Sequence, residues 1–111
     1  MFIRRKPRKS SKGITFDFYV VASVRAANGP RQKVFGYIGC IQERFLGSPF
    51  HCAYFWKSIT WMDGSHRKGA KELIQEIVSA QGRRDDEIEK LIDSAAKFVP
   101  FPPADFERPK I

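Results

Sequence analysis

The segment "ITFDFYVVASVRAANGPRQKVFGYIGCI", residues 14–41, decides the fold, because two strand-like runs lie on either side of a turn. In its first half apolar residues recur at every second position, which is typical of a half-buried strand. These residues are Ile14, Phe16, Phe18, Val20, Ala22, Val24 and Ala26. "NGP" at 28–30 interrupts the pattern, and "RQKVFGYIGCI" predicts a second strand. The segment therefore predicts an antiparallel β-hairpin.

The apolar pattern also predicts the register of this hairpin, since a one-residue slip exchanges the two faces of a strand. A two-residue loop at Asn28-Gly29 would place cations on the apolar face. A three- or five-residue loop gives four matched pairs, namely Val24 with Val34, Ala22 with Gly36, Val20 with Ile38, and Phe18 with Cys40. We expect the five-residue loop, because Pro30 cannot adopt the left-handed conformation that often ends a three-residue loop. The opposite face would then carry Tyr19, Val21, Ser23, Arg25, Arg31, Lys33, Phe35 and Tyr37.

Three later segments predict helices. "SPFHCAYFWKSITWMDG", residues 48–64, begins with Ser48 as N-cap and Pro49 at the first helical position. Its apolar residues fall at helical spacing, although its aromatic density would also suit a strand. They are Cys52, Phe55, Trp56, Ile59 and Met62.

The other two helices have clear apolar stripes. Residues 65–82 have Ser65 as cap and Gly82 beyond the end, and residues 85–100 begin with Asp86 and Glu89 at capping-box spacing. The stripes are Ala70, Leu73, Ile74, Ile77 and Val78 in the first, and Ile88, Leu91, Ile92, Ala95 and Ala96 in the second. Each stripe has to be buried, and the apolar face of the hairpin is the nearest surface.

The chain is therefore expected to be one α+β domain. The domain occupies residues 14–99, where an antiparallel β-hairpin or small sheet packs against two or three α-helices, a basic N-terminal arm occupies 1–13, and a Pro-rich tail occupies 100–111. The tail contains four prolines and cannot form regular helix or a central strand. Its Phe101 and Phe106 would either cover the core or serve as a docking peptide.

Positive charge is concentrated in the first third of the chain. The net charge is +8, and residues 34–111 hold eleven residues of each sign. Residues 1–33 hold one acid, Asp17, and nine cations, which are Arg4, Arg5, Lys6, Arg8, Lys9, Lys12, Arg25, Arg31 and Lys33. So uneven a distribution favours a polyanionic partner.

Several other classes of protein fit the sequence less well. The basic segment is followed by polar residues, whereas a secretory signal needs an apolar run of about 7–15 residues, and no apolar run approaches the roughly 18 residues of a membrane span. An Arg/Ser-rich transit peptide is the remaining targeting alternative. Two cysteines, Cys40 and Cys52, are too few for a disulfide framework, so we expect reduced core thiols in a cytoplasmic protein with no membrane partner.

The sequence favours a binding protein over an enzyme and predicts no cofactor. His51 and Cys52 are adjacent, so their side chains point in different directions, whereas a catalytic Cys–His dyad must converge. The histidines and cysteines lack zinc-ligand spacing. The acids at 85–89 suit a helix N-terminus better than the metal site of a nuclease.

The candidate binding residues are cations, tyrosines and one glutamine of the first third. They are Arg4, Arg5, Lys6, Arg8, Lys9 and Lys12 in the arm, and Tyr19, Arg25, Arg31, Gln32, Lys33 and Tyr37 in the hairpin. A two-stranded ribbon fits the major groove of DNA, where arginine reads guanine and lysine neutralises phosphate. Aromatic residues within a cationic surface would also suit single strands or RNA.

The hairpin also carries motifs of a known family. Ser23-Val24-Arg25, Gly29, Arg31-Gln32-Lys33 and Ile38-Gly39 follow a basic, methionine-led segment. This arrangement resembles the amino-terminal region of DDE-type insertion-sequence transposases, and "FWKSI" and "FVPFP" resemble small stand-alone relatives from mobile elements. The resemblance implies a DNA-associated domain with Arg25, Arg31, Gln32 and Lys33 as contacts. It does not imply transposition, because the catalytic carboxylate triad belongs to a longer domain, and Ala22 replaces a common Glu.

A second hypothesis belongs to another class. A small adaptor or inhibitor from a mobile element, such as an anti-CRISPR-like protein, would bind an acidic surface or a nucleic-acid-handling protein. A free Pro/Phe tail that is needed for a complex would favour this hypothesis.

Overall fold

The protein folds as an α+β domain with one main antiparallel sheet, which confirms the predicted fold class. The structure is a computed structural model and describes residues 1–82 and 85–101. The main sheet has the order β1-β2-β3, and its strands are β1 (Phe2–Ser10), β2 (Gly13–Ala26) and β3 (Gly29–Gln42). Helix α1 (Pro49–Trp56) follows the main sheet. A second, two-stranded sheet is formed by β4 (Ile59–Thr60) and β5 (His66–Arg67), and helices α2 (Ala70–Ala80) and α3 (Asp85–Ala96) come after it.

Most of the basic segment, expected to be an arm ahead of the sheet, is strand β1. It pairs antiparallel with β2 from Phe2 opposite Val21 to Ser10 opposite Gly13. The sequence of β1 lacks an alternating apolar pattern, because β1 is an edge strand in which only Ile3 is buried. Pro7 is tolerated there because an edge strand does not need every backbone N–H for pairing.

The predicted loop and register of the β2–β3 hairpin are wrong. The loop has two residues, Ala27 and Asn28, and Val24 pairs with Arg31 rather than Val34. The register shifts twice along the strands, between Phe18 and Tyr19 and between Val20 and Val21.

Each shift is a bulge that adds one residue to β3. Val34 and Gly36 pair with consecutive residues of β2, which leaves Phe35 as the extra residue, and Ile38 is the extra residue before Gly39. A bulge changes which side chains face the core. Ile38 is buried and Phe35 packs against the core, so a two-residue loop is compatible with an apolar face.

The helices cover one face of the main sheet. The core consists of Ile3, Phe18, Val20, Ile38 and Ile41 from the sheet together with buried residues of the helices and of the segment after α3. The helical contribution comes mainly from the predicted stripes, with Ala70, Ile74, Val78, Leu91, Ile92 and Ala95 buried. The predictions for α2 and α3 are therefore confirmed, except for their caps. Gly69 rather than Ser65 precedes α2, and α3 already includes Asp85 and Asp86.

The first predicted helix is correct only for its first half. Ser48 caps α1 by accepting a hydrogen bond from the His51 backbone N–H at 3.5 Å. The helix ends at Trp56 instead of continuing to Met62. The guanidinium of Arg67 donates to the backbone carbonyls of Tyr54 and Lys57, and so satisfies carbonyls at the helix C-terminus.

The beginning of the tail packs against the core as far as it is described. Trp56 donates from Nε1 to the carbonyl oxygen of Val99 at 2.9 Å, and Phe101 stacks on Trp56 with 4.4 Å between ring centroids. This contact favours core covering over a docking peptide for Phe101. Phe106 and the rest of the tail, residues 102–111, lie outside the described residues.

Two glycines of β3 allow the helices to approach the sheet closely. A Cβ atom on Gly36 would lie 2.5 Å from Cδ1 of Ile77, and one on Gly39 would lie 3.0 Å from the ring of Phe55. Gly39 also has a φ of +143°, which side chains disfavour. Both bulges therefore depend on glycine, for space at Gly36 and for space and conformation at Gly39.

We predict that Gly39→Ala lowers the free energy of unfolding by about 1–3 kcal/mol, because the backbone strain is joined by crowding against Phe55. Urea denaturation measures this loss. The matched control is Gly47→Ala, since nothing lies within 4 Å of a Cβ there and its φ is not in the positive range. It should change stability by less than about 0.5 kcal/mol. Equal effects of the two variants would contradict the assigned role of Gly39.

Candidate nucleic-acid interface

The β2–β3 hairpin extends beyond the rest of the sheet. Because β1 pairs with β2 only as far as Val21, residues 22–33 form a two-stranded segment, here called the ribbon. The ribbon carries three cations, Arg25, Arg31 and Lys33, and no acid. All three cations are exposed. An exposed, cationic two-stranded element is thus a distinct feature of the molecule.

The predicted register placed all three ribbon cations on one face of the hairpin. In the structure they lie on two faces. Arg31 and Lys33 pair with Val24 and Ala22, on the side of the sheet that carries the helices, and Arg25 lies on the opposite side. Lys33 supports this placement, since its Nζ lies 5.4 Å from the ring centroid of Phe35, which packs on the core. The predicted outward position of Phe35 is wrong for the same reason. The ribbon is therefore cationic on both faces.

The side of the main sheet away from the helices is here called the open face. Alternation along the strands places on it Arg4, Lys6 and Arg8 from β1, Asp17, Tyr19 and Arg25 from β2, and Gln32 and Tyr37 from β3. This set contains seven of the twelve predicted binding residues, with Asp17 in addition. The open face thus combines cations, aromatic rings and one carboxylate.

Tyr19 and Tyr37 lie side by side at the centre of the open face. They are direct cross-strand partners, and their rings meet edge to face with 5.3 Å between centroids. Arg4 pairs with Tyr19 from the other side, so a cation and two aromatic rings form one row across the sheet. Tyr37 keeps 46% of its surface exposed, so this aromatic surface is accessible.

Asp17 holds the polar groups of this face in place. Its Oδ1 accepts a hydrogen bond from the hydroxyl of Tyr37 at 3.2 Å, and its Oδ2 lies 3.3 Å from Nε of Arg8. Burial raises the pKa of the Tyr37 phenol, and the neighbouring Cys40 and Asp17 raise it further. Tyr37 is therefore a neutral hydrogen-bond donor at physiological pH.

Arg4 connects the two outer strands across β2. Its Nη1 donates to Oε1 of Gln32 on β3 at 2.6 Å. Because β2 lies between β1 and β3, the side chain of Arg4 has to pass over the middle strand. Val21 on that strand is fully buried although it does not belong to the core cluster. Arg4 and Gln32, both predicted from the sequence, therefore belong to one connected surface.

The other predicted cations lie elsewhere. Arg5 and Lys9 occupy the helix-facing side of β1, and Lys12 lies in the turn between β1 and β2. The guanidinium of Arg5 lies 4.5 Å from the ring centroid of Phe16 and 4.8 Å from that of Phe98. Arg5 therefore covers the edge of the core and does not join the open face.

Asp17 was not predicted from the sequence to hold this face together. It is the single acid among the nine cations of residues 1–33, and this isolation is the sequence feature that could have indicated its role. An acid surrounded by cations is expected to pair with one of them. Within residues 1–82 and 85–101, Asp17 is the only acid that forms an ion pair with any of the nine cations. The acids of the described helices leave this cationic surface unpaired.

Three further features concern the two cysteines, possible metal ligands and membrane-spanning helices. Cys52 is buried, and burial raises the pKa of its thiol, whereas Cys40 is exposed, so its assignment to the core is wrong. Among the described residues no three His, Cys, Asp or Glu side chains are grouped to hold a metal ion. No helix in the described part of the chain has the length and apolar character to cross a membrane.

Functional inference for this protein rests on its geometry, because comparison with known proteins gives no match. No family model, curated protein or solved structure matches the chain. Two of the motifs named in the sequence comparison, Ser23-Val24-Arg25 and Arg31-Gln32-Lys33, face each other across the ribbon, because Ser23 pairs with Gln32 and Val24 with Arg31. They therefore form one structural unit in this protein.

We predict that Asp17→Ala lowers the free energy of unfolding by about 1–3 kcal/mol, because the Tyr37 hydroxyl loses its acceptor in a partly buried setting. The ion pair with exposed Arg8 adds little to this loss. Asp93→Ala, at an exposed position on α3, is the control and should have an effect below about 0.5 kcal/mol in urea denaturation. A neutral Asp17→Ala would contradict the role of this carboxylate as the centre of the network.

We also predict a pH dependence that originates from Tyr37. The folded state raises the pKa of this phenol above its unfolded value of about 10, so it stabilises the fold at lower pH and that stabilisation is lost as the pH rises past 10. The decline in unfolding free energy between about pH 9 and 11 should be smaller in Tyr37→Phe than in the unmodified protein. Tyr54→Phe removes a phenol from α1 and is the control. An equal change in both variants would argue against the effect.

Proposed function

We propose that this protein is a non-enzymatic nucleic-acid-binding protein and that its ligand is DNA. The observation that carries the proposal is the cationic ribbon, which continues directly into the cationic and aromatic open face. In the described residues only one of the nine cations of residues 1–33 is neutralised by an acid. Such a surface attracts a polyanion over a long range and raises its rate of association.

The shape of the ribbon supports duplex DNA as a ligand. Two strands about 4.8 Å apart, with their side chains, fit a major groove about 12 Å wide. Phosphates line both walls of that groove. Cations on both faces of the ribbon therefore suit insertion between the two walls, with Arg25 directed to one side and Arg31 and Lys33 to the other. The resemblance of these motifs to transposase amino-terminal regions also favours DNA.

The open face would extend this contact along the phosphate backbone. Arg4, Lys6 and Arg8 lie on it at every second position of β1, which spaces them by about 6.6 Å. Phosphates along one DNA strand have a comparable spacing. If five cations from the ribbon and β1 each displaced one counterion, the logarithm of the affinity would fall with that of the salt concentration with a slope of about −4 to −5.

A second candidate function has an observation of its own. Four large apolar or aromatic side chains of α1 and of the segment between β4 and β5 are exposed, and they are Phe50, Tyr54, Trp61 and Met62. Contiguous surfaces formed by such side chains often contact proteins. A mobile-element adaptor or inhibitor that binds a nucleic-acid-handling protein would use this surface, alone or together with the cationic one.

Replacing Arg25, Arg31 and Lys33 together by alanine should weaken duplex binding and reduce the salt slope by about 2.7, the value for three lost phosphate contacts. Fluorescence anisotropy with a labelled duplex across a salt series measures both effects. The matched control replaces Lys71, Lys90 and Lys97, three exposed lysines of the helical layer, and changes the net charge equally. Equal losses in both variants would mean that net charge alone drives binding. Absence of any nucleic-acid binding at low salt, together with a stable protein complex, would favour the adaptor hypothesis.

A further inference from the structure

The aromatic residues of the open face are not needed to cover the core. The helices pack on the other side of the sheet, yet Tyr19 and Tyr37 occupy adjacent central positions on this side, and Phe2 lies one row away on β1. The tyrosine pair is flanked by cations and has an accessible ring surface. Aromatic rings within a positive surface are the two components with which proteins hold unpaired bases.

A depression beside this pair has dimensions suited to a base. It measures about 540 Å³ and is lined by Lys6, Pro7, Arg8, Asp17, Tyr19 and Tyr37. Small-molecule sites commonly measure about 300–1,000 Å³. The lining contains two aromatic rings for a base and two cations of β1, Lys6 and Arg8, for the phosphates of a bound strand. The depression therefore offers separate surfaces for the base and for the backbone.

The tyrosine ring is held in position before any ligand arrives. The hydrogen bond from Tyr37 to Asp17 and the edge-to-face contact with Tyr19 restrict its rotation. A side chain that is already ordered loses little conformational entropy on binding. The Tyr37 hydroxyl is uncharged at neutral pH, as an ordinary phenol is, so it does not repel a phosphate.

We propose that the open face binds an unpaired base of a nucleic-acid strand, which stacks on the ring of Tyr37 and meets the inclined ring of Tyr19 at its edge, while Lys6 and Arg8 contact its phosphates. This inference rests on the proposed nucleic-acid binding and adds a second mode to it. The ribbon enters a duplex groove, and the open face takes a base that is not stacked in a duplex. Stacking recognises the ring of a base, which DNA and RNA share.

The test compares two strands that differ only in their bases. One is a labelled oligothymidine, and the other has the same length and the same phosphates but an abasic sugar at every position. The unmodified protein should bind oligothymidine about 5- to 150-fold more tightly, the range expected for stacking of one base. An oligouridine of the same length is a third arm, and tighter binding to it would identify RNA as the source of the base.

Variants of Tyr37 and Tyr19 test whether the tighter binding of oligothymidine than of the abasic strand comes from these two rings. Tyr37→Leu and Tyr19→Leu keep apolar bulk but remove the aromatic ring, so they should abolish the preference for oligothymidine and leave binding to the abasic strand unchanged. Tyr37→Phe keeps the ring and should retain most of the preference. Tyr54→Leu replaces the third tyrosine of the chain, an exposed residue on α1, and should have no effect. Circular dichroism and urea denaturation verify that each variant is folded.

The results separate this inference from the function on which it rests. Equal affinity of the unmodified protein for both strands would overturn the unpaired-base site while leaving nucleic-acid binding intact. The same holds if the leucine variants weaken both complexes equally. Failure to bind duplex DNA and every single strand at low salt would overturn the proposed function and this inference with it.

Discussion

In β3, two bulges set the relation between the sheet, the helices and the open face. Both extra residues, Phe35 and Ile38, pack on the core, and the glycine after each leaves space for a helix. The shift between Val20 and Val21 also brings Tyr37 opposite Tyr19. Without the shifts, continuing the register of the hairpin end would place Tyr37 opposite Phe18 on the helix side and Ile38 opposite Asp17 on the open face. The burial of Ile38 and the aromatic pair are thus consequences of bulges in one strand.

That irregularity also explains how much of the fold could be predicted from the sequence. Alternation from Ile14 to Val24 identified β2, and apolar stripes identified α2 and α3, because these elements bury one regular face. The register of β3 could not be derived by matching apolar residues, since a bulge adds a residue without leaving a periodic trace. Gly36 and Gly39 were the available signals, because isolated glycines within a strand often mark bulges.

Strand β1 was missed for a different physical reason. Sequence patterns identify strands by apolar residues on the buried face, but β1 places Arg5 and Lys9 on that side. Arg5 is accommodated because its guanidinium lies on the rings of Phe16 and Phe98 at the edge of the core. Long cationic side chains can cover apolar surface in this way while their charge remains in water. Seven of the twelve candidate binding residues nevertheless lie together on the open face, because charge and aromatic content are visible in the sequence without the register.

The cations of the sheet have a second physical explanation, which must be weighed against nucleic-acid binding. Edge strands expose unpaired backbone groups, and proteins protect them from aggregation with charged residues and proline. β1 is such an edge and contains Pro7, and β3 is the other edge. Protection of edges accounts for charges at these positions, and lysine is the residue used most for it. β1 and β3 together contain seven cations and no acid. Four of the seven are arginines, which edge protection does not specifically favour, and the proposed attraction of a polyanion would account for them together with the lysines.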